Sequence, residues 1–137
     1  MNIGRLVRRD VETLPASTSC TEAARRMRDA GVGSLIVAEA GRPLGIVTDR
    51  DLVVRVIATG SDPEKLAVAD VMSRKPIFVS HTRDVAYVLE LMRDLAVRRI
   101  PVVDENHQLV GVVALDDIIL SLSNEFAAVA ETIRKEM

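Results

Sequence analysis

At 137 residues the chain is long enough to bury a core without disulfides or metal ions. Apolar residues make up 48% and aromatic residues 2%, so the core must consist of aliphatic side chains, as is typical of helices packed on a sheet. The 18 basic and 20 acidic residues give a net charge of −2, which excludes the large positive field needed for broad binding to nucleic acid or anionic membranes.

We expect from the sequence that the protein is not exported. No apolar run is long enough for a membrane span, and the N-terminus lacks an apolar secretion segment. The single cysteine, Cys20, cannot form an internal disulfide, which fits a reducing compartment. These features predict a cytoplasmic protein.

The chain contains two copies of one unit. A shift of 65 residues aligns MRDAGVGSLIV (27–37) with MRDLAVRRIPV (92–102), and one extra residue then aligns LGIVTDRDL (44–52) with VGVVALDDI (110–118). Upstream, Leu6 and Val7 fall opposite Val71 and Met72. The repeat predicts units at 1–66 and 67–137, joined by the linker GSDPEKLA (60–67).

Each unit begins with the same two elements. A short helical lead-in, at about 3–8 or 68–73, precedes an extended segment, VETL (11–14) or PIFV (76–79). An amphipathic helix follows, and its predicted buried face consists of Cys20, Ala23, Ala24, Met27 and Ala30 in the first unit and Val85, Val88, Leu89, Met92 and Leu95 in the second.

A strand pair and a second helix complete each unit. The strands are SLIVAE and PLGIVT around a turn at 40–42, then RIPVVD and LVGVVA around a turn at 105–107. Gly41 and Asn106 are expected to supply positive φ in these turns. The element order β-α-β-β-α, present twice, predicts an α/β fold.

The junction GIVTDRD (45–51) is the main candidate site. It joins a strand ending near Val47 to a helix, so that Thr48 and Asp51 lie beside unpaired backbone N–H groups. These two residues could hold a phosphorylated ribose, or they could form a capping box with Asp in place of Glu. The sequence leaves both interpretations open.

The last helix is predicted to run from about Asp116 to the C-terminus. Its apolar residues Leu122, Phe126, Val129 and Ile133 continue beyond the point where the first unit breaks at Gly60. Either the body of the same chain or a second copy must cover this stripe.

No motif in the sequence predicts catalysis. His81 and His107 do not have metal-ligand spacing, Cys20 lies on an apolar helix face, and the glycine-rich phosphate loops GxxxxGK(S/T) and GxGxxG are absent. No helix is basic along one face, and no helix-turn-helix or zinc pattern indicates DNA binding. We therefore expect neither an enzyme nor a nucleic-acid-binding protein.

The repeated motifs resemble those of a tandem pair of CBS domains, also called a Bateman module, of the stand-alone prokaryotic type. The resemblance rests on MRDLAVRRIPVVD (92–104), LVGVVALDDI (109–118) and LGIVTDRDL (44–52), and it covers essentially the whole chain. It implies two β-α-β-β-α repeats related by a pseudo-twofold axis, with small mixed sheets packed against helices. It also implies two clefts that bind adenosine compounds such as AMP, ADP, ATP or S-adenosylmethionine as regulatory ligands, with no catalytic cofactor.

Individual residues fit such a ligand. Asp51 can accept both ribose hydroxyls, Thr48 can donate to a phosphate, and Gly45 leaves room for close approach to the backbone. An apolar adenine slot could consist of Val11, Thr13 and Ile46, although ordinary sheet core is the better explanation of these positions from the sequence.

The two copies differ at the candidate site. The second unit has Ala114 at the Thr48 position but keeps the carboxylate as Asp117, whereas Arg98 and Arg99 replace small residues of the first unit. Side chains alternate along a strand, so at most one of these two arginines should bind the phosphate of a ligand at Thr48 and Asp51. The alternative is that one of them pairs with a surface carboxylate such as Asp94 or Glu105. The asymmetry predicts one strong nucleotide site and one weak or vacant site.

The resemblance implies a regulatory module that binds an adenosine nucleotide between its repeats and signals by a conformational change. The expected partners are the ligand, a second copy of the chain and an unidentified effector protein. The alternative is a structural homodimerisation module whose clefts are weak or vacant.

Overall fold

The fold consists of two three-stranded sheets, each with its own helices, in a computed structural model that describes residues 1–74 and 78–137. The first sheet has the order β1–β2–β3, with strands Thr13–Leu14, Ser34–Glu39 and Arg42–Thr48. The second has the order β4–β5–β6, with strands Val79–Ser80, Arg99–Val103 and Leu109–Ala114. The predicted α/β class with small mixed sheets is confirmed, and Pro76 and Ile77 of the predicted segment PIFV lie outside the described residues.

The helices follow the predicted order. A 3₁₀ turn spans Ile3–Leu6, and the helices are α1 Cys20–Ala30, α2 Asp49–Leu52, α3 Val68–Val71, α4 Val85–Leu95 and α5 Leu115–Glu136. A π-helical turn, Val53–Ile57, continues α2. Ser19 and Asp84 cap α1 and α4 through side-chain oxygens, and Gly31 and Ala96 end them in the left-handed conformation.

The compact units do not follow the sequence repeats in their lead-in segments. The unit of the first sheet comprises Asp10–Ile77 with Glu105–Leu109, and the unit of the second sheet comprises Met1–Arg9, Phe78–Asp104 and Val110–Met137. The N-terminal lead-in therefore packs with the second sheet, and the lead-in that contains α3 packs with the first. Ile3 and Val68 are both fully buried, each in the core of the unit that its segment joins.

Each unit has its own aliphatic core. In the first-sheet unit, α1 contributes Cys20, Ala23 and Met27 to this core, whereas Ala24 and Ala30 of the predicted stripe are exposed. In the second-sheet unit, α4 contributes Val85, Val88 and Met92, with Leu89 packed partly against the core and Leu95 40% exposed. The predicted helix faces were thus too wide, because three buried side chains are enough for a short helix against a small sheet.

The two strand turns differ from the prediction in one residue. In the first turn both Ala40 and Gly41 have positive φ, which suits a tight hairpin. In the second turn the positive φ belongs to His107 and not to Asn106. The type of residue alone did not determine which position of the longer turn takes the left-handed conformation.

Candidate functional site

Thr48 and Asp51 form a complete capping box where β3 meets α2. Thr48 has extended backbone angles, and its Oγ1 accepts a hydrogen bond of 3.1 Å from the Asp51 backbone N–H. Asp51 Oδ2 in turn accepts a 2.9 Å bond from the Thr48 backbone N–H. The capping interpretation of these residues is therefore confirmed.

The capping box leaves chemical capacity for a ligand. The Thr48 hydroxyl uses a lone pair for the cap, so its own proton remains a donor. Asp51 Oδ1 faces Arg55 Nε at 3.9 Å, which is a weak i, i+4 ion pair, and 17% of the Asp51 side chain is exposed. A donor and an acceptor thus lie together at the start of a helix, which is a suitable arrangement for a hydroxylated, phosphorylated ligand.

One face of the first sheet carries Thr48 together with two of the predicted adenine-contacting residues. Thr13 pairs with Ile36, Ile36 pairs with Ile46, and Ser34 pairs with Thr48. Because paired residues share a face and side chains alternate along a strand, Thr13, Ile46 and Thr48 lie on the same side of the sheet. Ile36 on this face is 5% exposed but does not belong to the unit's core cluster, which lies on the opposite face.

The sheet register therefore places three of the residues that the sequence selected on one face of the first sheet, and a fourth, Asp51, is hydrogen-bonded to Thr48. Ile46 is half-buried and Thr13 is exposed on the face that carries Thr48. Val11 is half-buried but precedes β1, so the sheet register does not place it on this face.

Gly45 has a packing role that the sequence did not predict. A Cβ at this position would lie 2.5 Å from the Ser73 carbonyl oxygen and 2.7 Å from Met72 Sδ. The lead-in that contains α3 crosses β3 here, and Ser73 and Ile46 exchange backbone hydrogen bonds of 2.9 and 3.3 Å. The space beside Gly45 is therefore filled by Ser73 and Met72 of the same chain. This corrects the expectation that the missing side chain of Gly45 makes room for a ligand.

The second-sheet unit has the same backbone frame with different side chains. Leu115 N–H donates to the Arg98 carbonyl at 2.8 Å, just as Asp49 N–H donates to the Gly33 carbonyl at 2.9 Å. Ala114 is the N-cap of α5 and has no side-chain cap bond. The hydroxyl of Thr48 thus has no counterpart in the second copy, as the sequence predicted.

Asp117 is engaged by a residue that sequence analysis missed. Arg8 donates to Asp117 from Nε to Oδ2 at 2.7 Å and from Nη2 to Oδ1 at 2.9 Å, which is a bidentate ion pair. The Asp117 side chain is 17% exposed and that of Arg8 is 60% exposed. The sequence did contain a signal of this difference between the two copies. When the alignment of Leu6 and Val7 with Val71 and Met72 is extended by one residue, the charged Arg8 aligns with the uncharged Ser73.

Arg98 and Arg99 are both exposed; Arg98 immediately precedes β5 and Arg99 is its first residue. Arg98 Nη2 lies 3.5 Å from Asp116 Oδ1, with both side chains more than 70% exposed. An ion pair with a surface carboxylate was one of the two expectations, but the partner is Asp116 and neither Asp94 nor Glu105. Such an exposed pair contributes little to stability, so the Arg98 guanidinium can leave Asp116 and bind a phosphate instead.

The lone cysteine is a core residue. Cys20 is 1% exposed at the start of α1, and burial, with a smaller contribution from Asp70, raises the pKa of its thiol. A buried thiol with a raised pKa is a poor nucleophile at neutral pH. Among residues 1–74 and 78–137, no cluster of three His, Cys, Asp or Glu side chains could hold a metal ion.

Comparison with known proteins identifies the family. A family model described as "CBS domain" matches residues 3–58 and 68–124, which together include both sheets and all five helices up to the middle of α5. The chain belongs to the CBS-domain family. A CBS pair is a regulatory module, and the matches indicate no family of enzymes.

Relatives and solved structures agree with this assignment. An uncharacterised protein of Methanopyrus kandleri is 35% identical over 136 residues, which is 98% of this chain and 69% of the relative. The crystal structure of Hypoxic Response Protein I, described with two coordinated zinc ions, has a TM-score of 0.81 at 29% identity and covers 88% of this chain and 98% of its own.

A third structure shares the fold at lower identity. It is a CBS domain pair in complex with methylthioadenosine and S-adenosyl-L-methionine, with a TM-score of 0.76 at 22% identity, covering 91% of this chain and 98% of that chain. No helix in the described part of the chain combines the length and apolar character that a membrane span requires.

Proposed function

We propose that this CBS pair is a regulatory sensor that binds an adenosine-containing ligand, AMP, ADP, ATP or S-adenosylmethionine, at Thr48 and Asp51. The observation that carries this proposal is the Thr48–Asp51 capping box, whose two hydrogen bonds leave the Thr48 hydroxyl proton and Asp51 Oδ1 available. The ligand is a signal and is not turned over.

The ligand contacts follow from the chemistry of these groups. The Asp51 carboxylate is an acceptor for the two ribose hydroxyls, and the Thr48 hydroxyl donates to a phosphate oxygen while still accepting the Asp51 N–H. Capping and ligand binding are therefore compatible roles for one hydroxyl. The adenine ring would lie along the sheet face that carries Thr13 and Ile46, and the earlier assignments of Val11, Arg98 and Arg99 to the ligand stay predictions.

The proposed signal is a shift between conformations of the pair. A ligand changes such an equilibrium only as far as it binds one conformation better than the other. The neighbour that binds methylthioadenosine and S-adenosyl-L-methionine shares only the fold with this chain, so it supports the ligand class without identifying the ligand. An effector protein as recipient of the signal and a cytoplasmic location stay predictions.

Thermal unfolding in the presence of AMP, ATP or S-adenosylmethionine tests the proposal. A ligand at one hundred times its Kd adds about 2.7 kcal/mol to the free energy of unfolding, which corresponds to a rise in Tm on the order of 10 °C for a chain of this size. Asp51→Ala should abolish the rise, whereas Asp117→Ala should keep it. A wild-type Tm that none of the adenosine compounds changes would contradict the proposal.

A structural homodimer is the second candidate function, favoured by the exposed apolar stripe of α5. Phe126, Val129 and Ile133 are 75%, 57% and 55% exposed, whereas Leu122 packs partly against the core of its unit. From Leu122 to Ile133 these four apolar residues are spaced by four, three and four positions, which matches a coiled-coil seam. Among the described residues, the unit that contains α5 therefore leaves the end of this stripe exposed.

A second copy of α5 in antiparallel orientation fits this stripe. Antiparallel pairing would place Glu125 near the basic last turn, Arg134 and Lys135, of the other copy. Full burial of one Phe contributes about 1.5–3 kcal/mol, so Phe126→Ser should weaken dimerisation at least about tenfold in sedimentation equilibrium. Asn124→Ser is the matched surface control, and an unchanged dimer in Phe126→Ser would exclude this interface.

A further inference from the structure

We infer that Arg8 closes the second adenosine site of this chain by occupying Asp117, the carboxylate equivalent to Asp51. This inference rests on the proposed function of the Thr48–Asp51 site and assigns a regulatory role to a lead-in residue. It begins from the ion pair, in which both Asp117 oxygens accept hydrogen bonds from one guanidinium, at 2.7 and 2.9 Å. A ribose that uses Asp117 must first displace these two charge-assisted bonds.

The backbone holds Arg8 at this position. Arg8 and Val112 exchange backbone hydrogen bonds of 2.8 and 3.0 Å, so the lead-in is bridged to β6. Gly111 makes this approach possible, because a Cβ there would collide with the Arg8 carbonyl oxygen and Val7 Cγ1. The guanidinium therefore extends from a fixed point and reaches a carboxylate that is 17% exposed. This differs from a pair of two mobile surface side chains, which contributes little.

The first-sheet unit provides an internal comparison. Ser73 occupies the same place there, since it exchanges backbone hydrogen bonds with Ile46 beside Gly45, as Arg8 does with Val112 beside Gly111. Serine has no cation to offer, and Asp51 instead faces Arg55 at 3.9 Å. One residue of the lead-in thus distinguishes an available carboxylate from an occupied one.

The consequence is a predicted stoichiometry. The wild-type chain should bind one adenosine ligand, at Asp51, and the missing hydroxyl at Ala114 weakens the second site further. Replacing Arg8 by the residue found at the equivalent position frees Asp117. The reciprocal change, Ser73→Arg, should place a guanidinium near Asp51 and reduce the affinity of the first site.

Calorimetric titration with AMP tests the inference on the full-length chain. We expect one site in the wild type, two in Arg8→Ser, and one again in Arg8→Ser combined with Asp117→Ala. Arg9→Ser is the matched control, because it removes the same charge from the neighbouring exposed position and should leave one site. Ser73→Arg, made in the wild-type chain, should weaken AMP binding at the Asp51 site by ~10-fold or more, as expected for a competing charge-assisted pair.

The outcomes separate this inference from the proposed function. One site in both the wild type and a folded Arg8→Ser, with an unchanged unfolding transition, would overturn the role of Arg8 and leave the Asp51 site intact. Two sites in the wild type would overturn it as well, as would loss of all AMP binding in Arg8→Ser, since Arg8 would then be a ligand contact. No AMP binding to the wild type by calorimetry, together with an unchanged Tm for every adenosine compound, would instead overturn the proposed function.

Discussion

Gly45→Ala is expected to destabilise the first-sheet unit strongly, because the lead-in crosses β3 at this residue. The new Cβ would lie 2.5 Å from the Ser73 carbonyl oxygen, whereas ordinary contacts begin at 3.4 Å, so the segment must move by about 0.9 Å. Such a shift breaks the two backbone hydrogen bonds between Ile46 and Ser73. Each contributes about 1 kcal/mol net, and overpacking adds roughly 1–3 kcal/mol.

The expected loss in the free energy of unfolding is therefore about 3–5 kcal/mol. Urea denaturation followed by far-ultraviolet circular dichroism would show it as a midpoint lowered by roughly 1.5–2.5 M, for a denaturant slope of about 2 kcal/mol per M. Gly33→Ala is the matched control, because the nearest atoms to its Cβ would belong to the exposed Asp49 carboxylate, at 3.0 Å, and a side-chain end can move aside. That change should cost less than about 0.5 kcal/mol.

A Gly45→Ala protein as stable as the Gly33→Ala control would contradict this prediction. It would mean that the lead-in does not lie against Gly45 in solution, and that the glycine serves another purpose such as ligand approach. The same logic applies to Gly111→Ala, where the Cβ meets the Arg8 carbonyl oxygen. That variant should also loosen the pair between Arg8 and Asp117.

Three further predictions concern single side chains. Thr48→Ala removes a cap and should lower the unfolding free energy by about 1 kcal/mol in urea titration, whereas Thr48→Ser should keep it; equal stability of both variants would argue against the capping box. Cys20, buried and with a raised thiol pKa, should react with a thiol reagent at pH 7 only after denaturation, and rapid labelling of the native protein would contradict its burial. The hydrogen bond from the Met1 amine lowers the pKa of Asp84, so the unfolded state binds the Asp84 proton more readily. The stability difference between wild type and Asp84→Asn should thus be complete above about pH 5 and shrink as pH falls through 4 and below, and a pH-independent difference would exclude this linkage.

The order of the elements could be predicted because it depends on local patterns. Strands β2 and β6 begin and end where the alternating apolar runs predicted, and α5 extends almost to the C-terminus as its stripe indicated. The partner of each lead-in could not be predicted in this way. Which sheet a lead-in joins is decided by contacts between residues far apart in sequence, such as Arg8 with Val112 and Ser73 with Ile46.

The candidate site was predictable in part for the same reason. Thr48, Asp51 and Asp117 occupy helix starts that adjacent residues define, and all three lie in first turns or caps as expected. The packing role of Gly45 and the pairing of Asp117 with Arg8 depend on contacts with lead-ins that are distant along the chain; Arg8 and Asp117, for example, are 109 positions apart. A repeat alignment shows that Arg8 and Ser73 are equivalent, but the contacts that make this difference matter come from the folded structure.

Recognition of an adenosine ligand through Asp51 can be measured by equilibrium binding of radiolabelled AMP to wild type, Asp51→Asn and Asp117→Asn. Asn keeps the size of the side chain and one acceptor oxygen for the cap, but it removes the charge that favours ribose hydroxyls. We expect saturable binding that Asp51→Asn weakens at least about tenfold and Asp117→Asn leaves unchanged. Equal loss in both variants, or unchanged binding in Asp51→Asn, would exclude recognition of the ligand through Asp51.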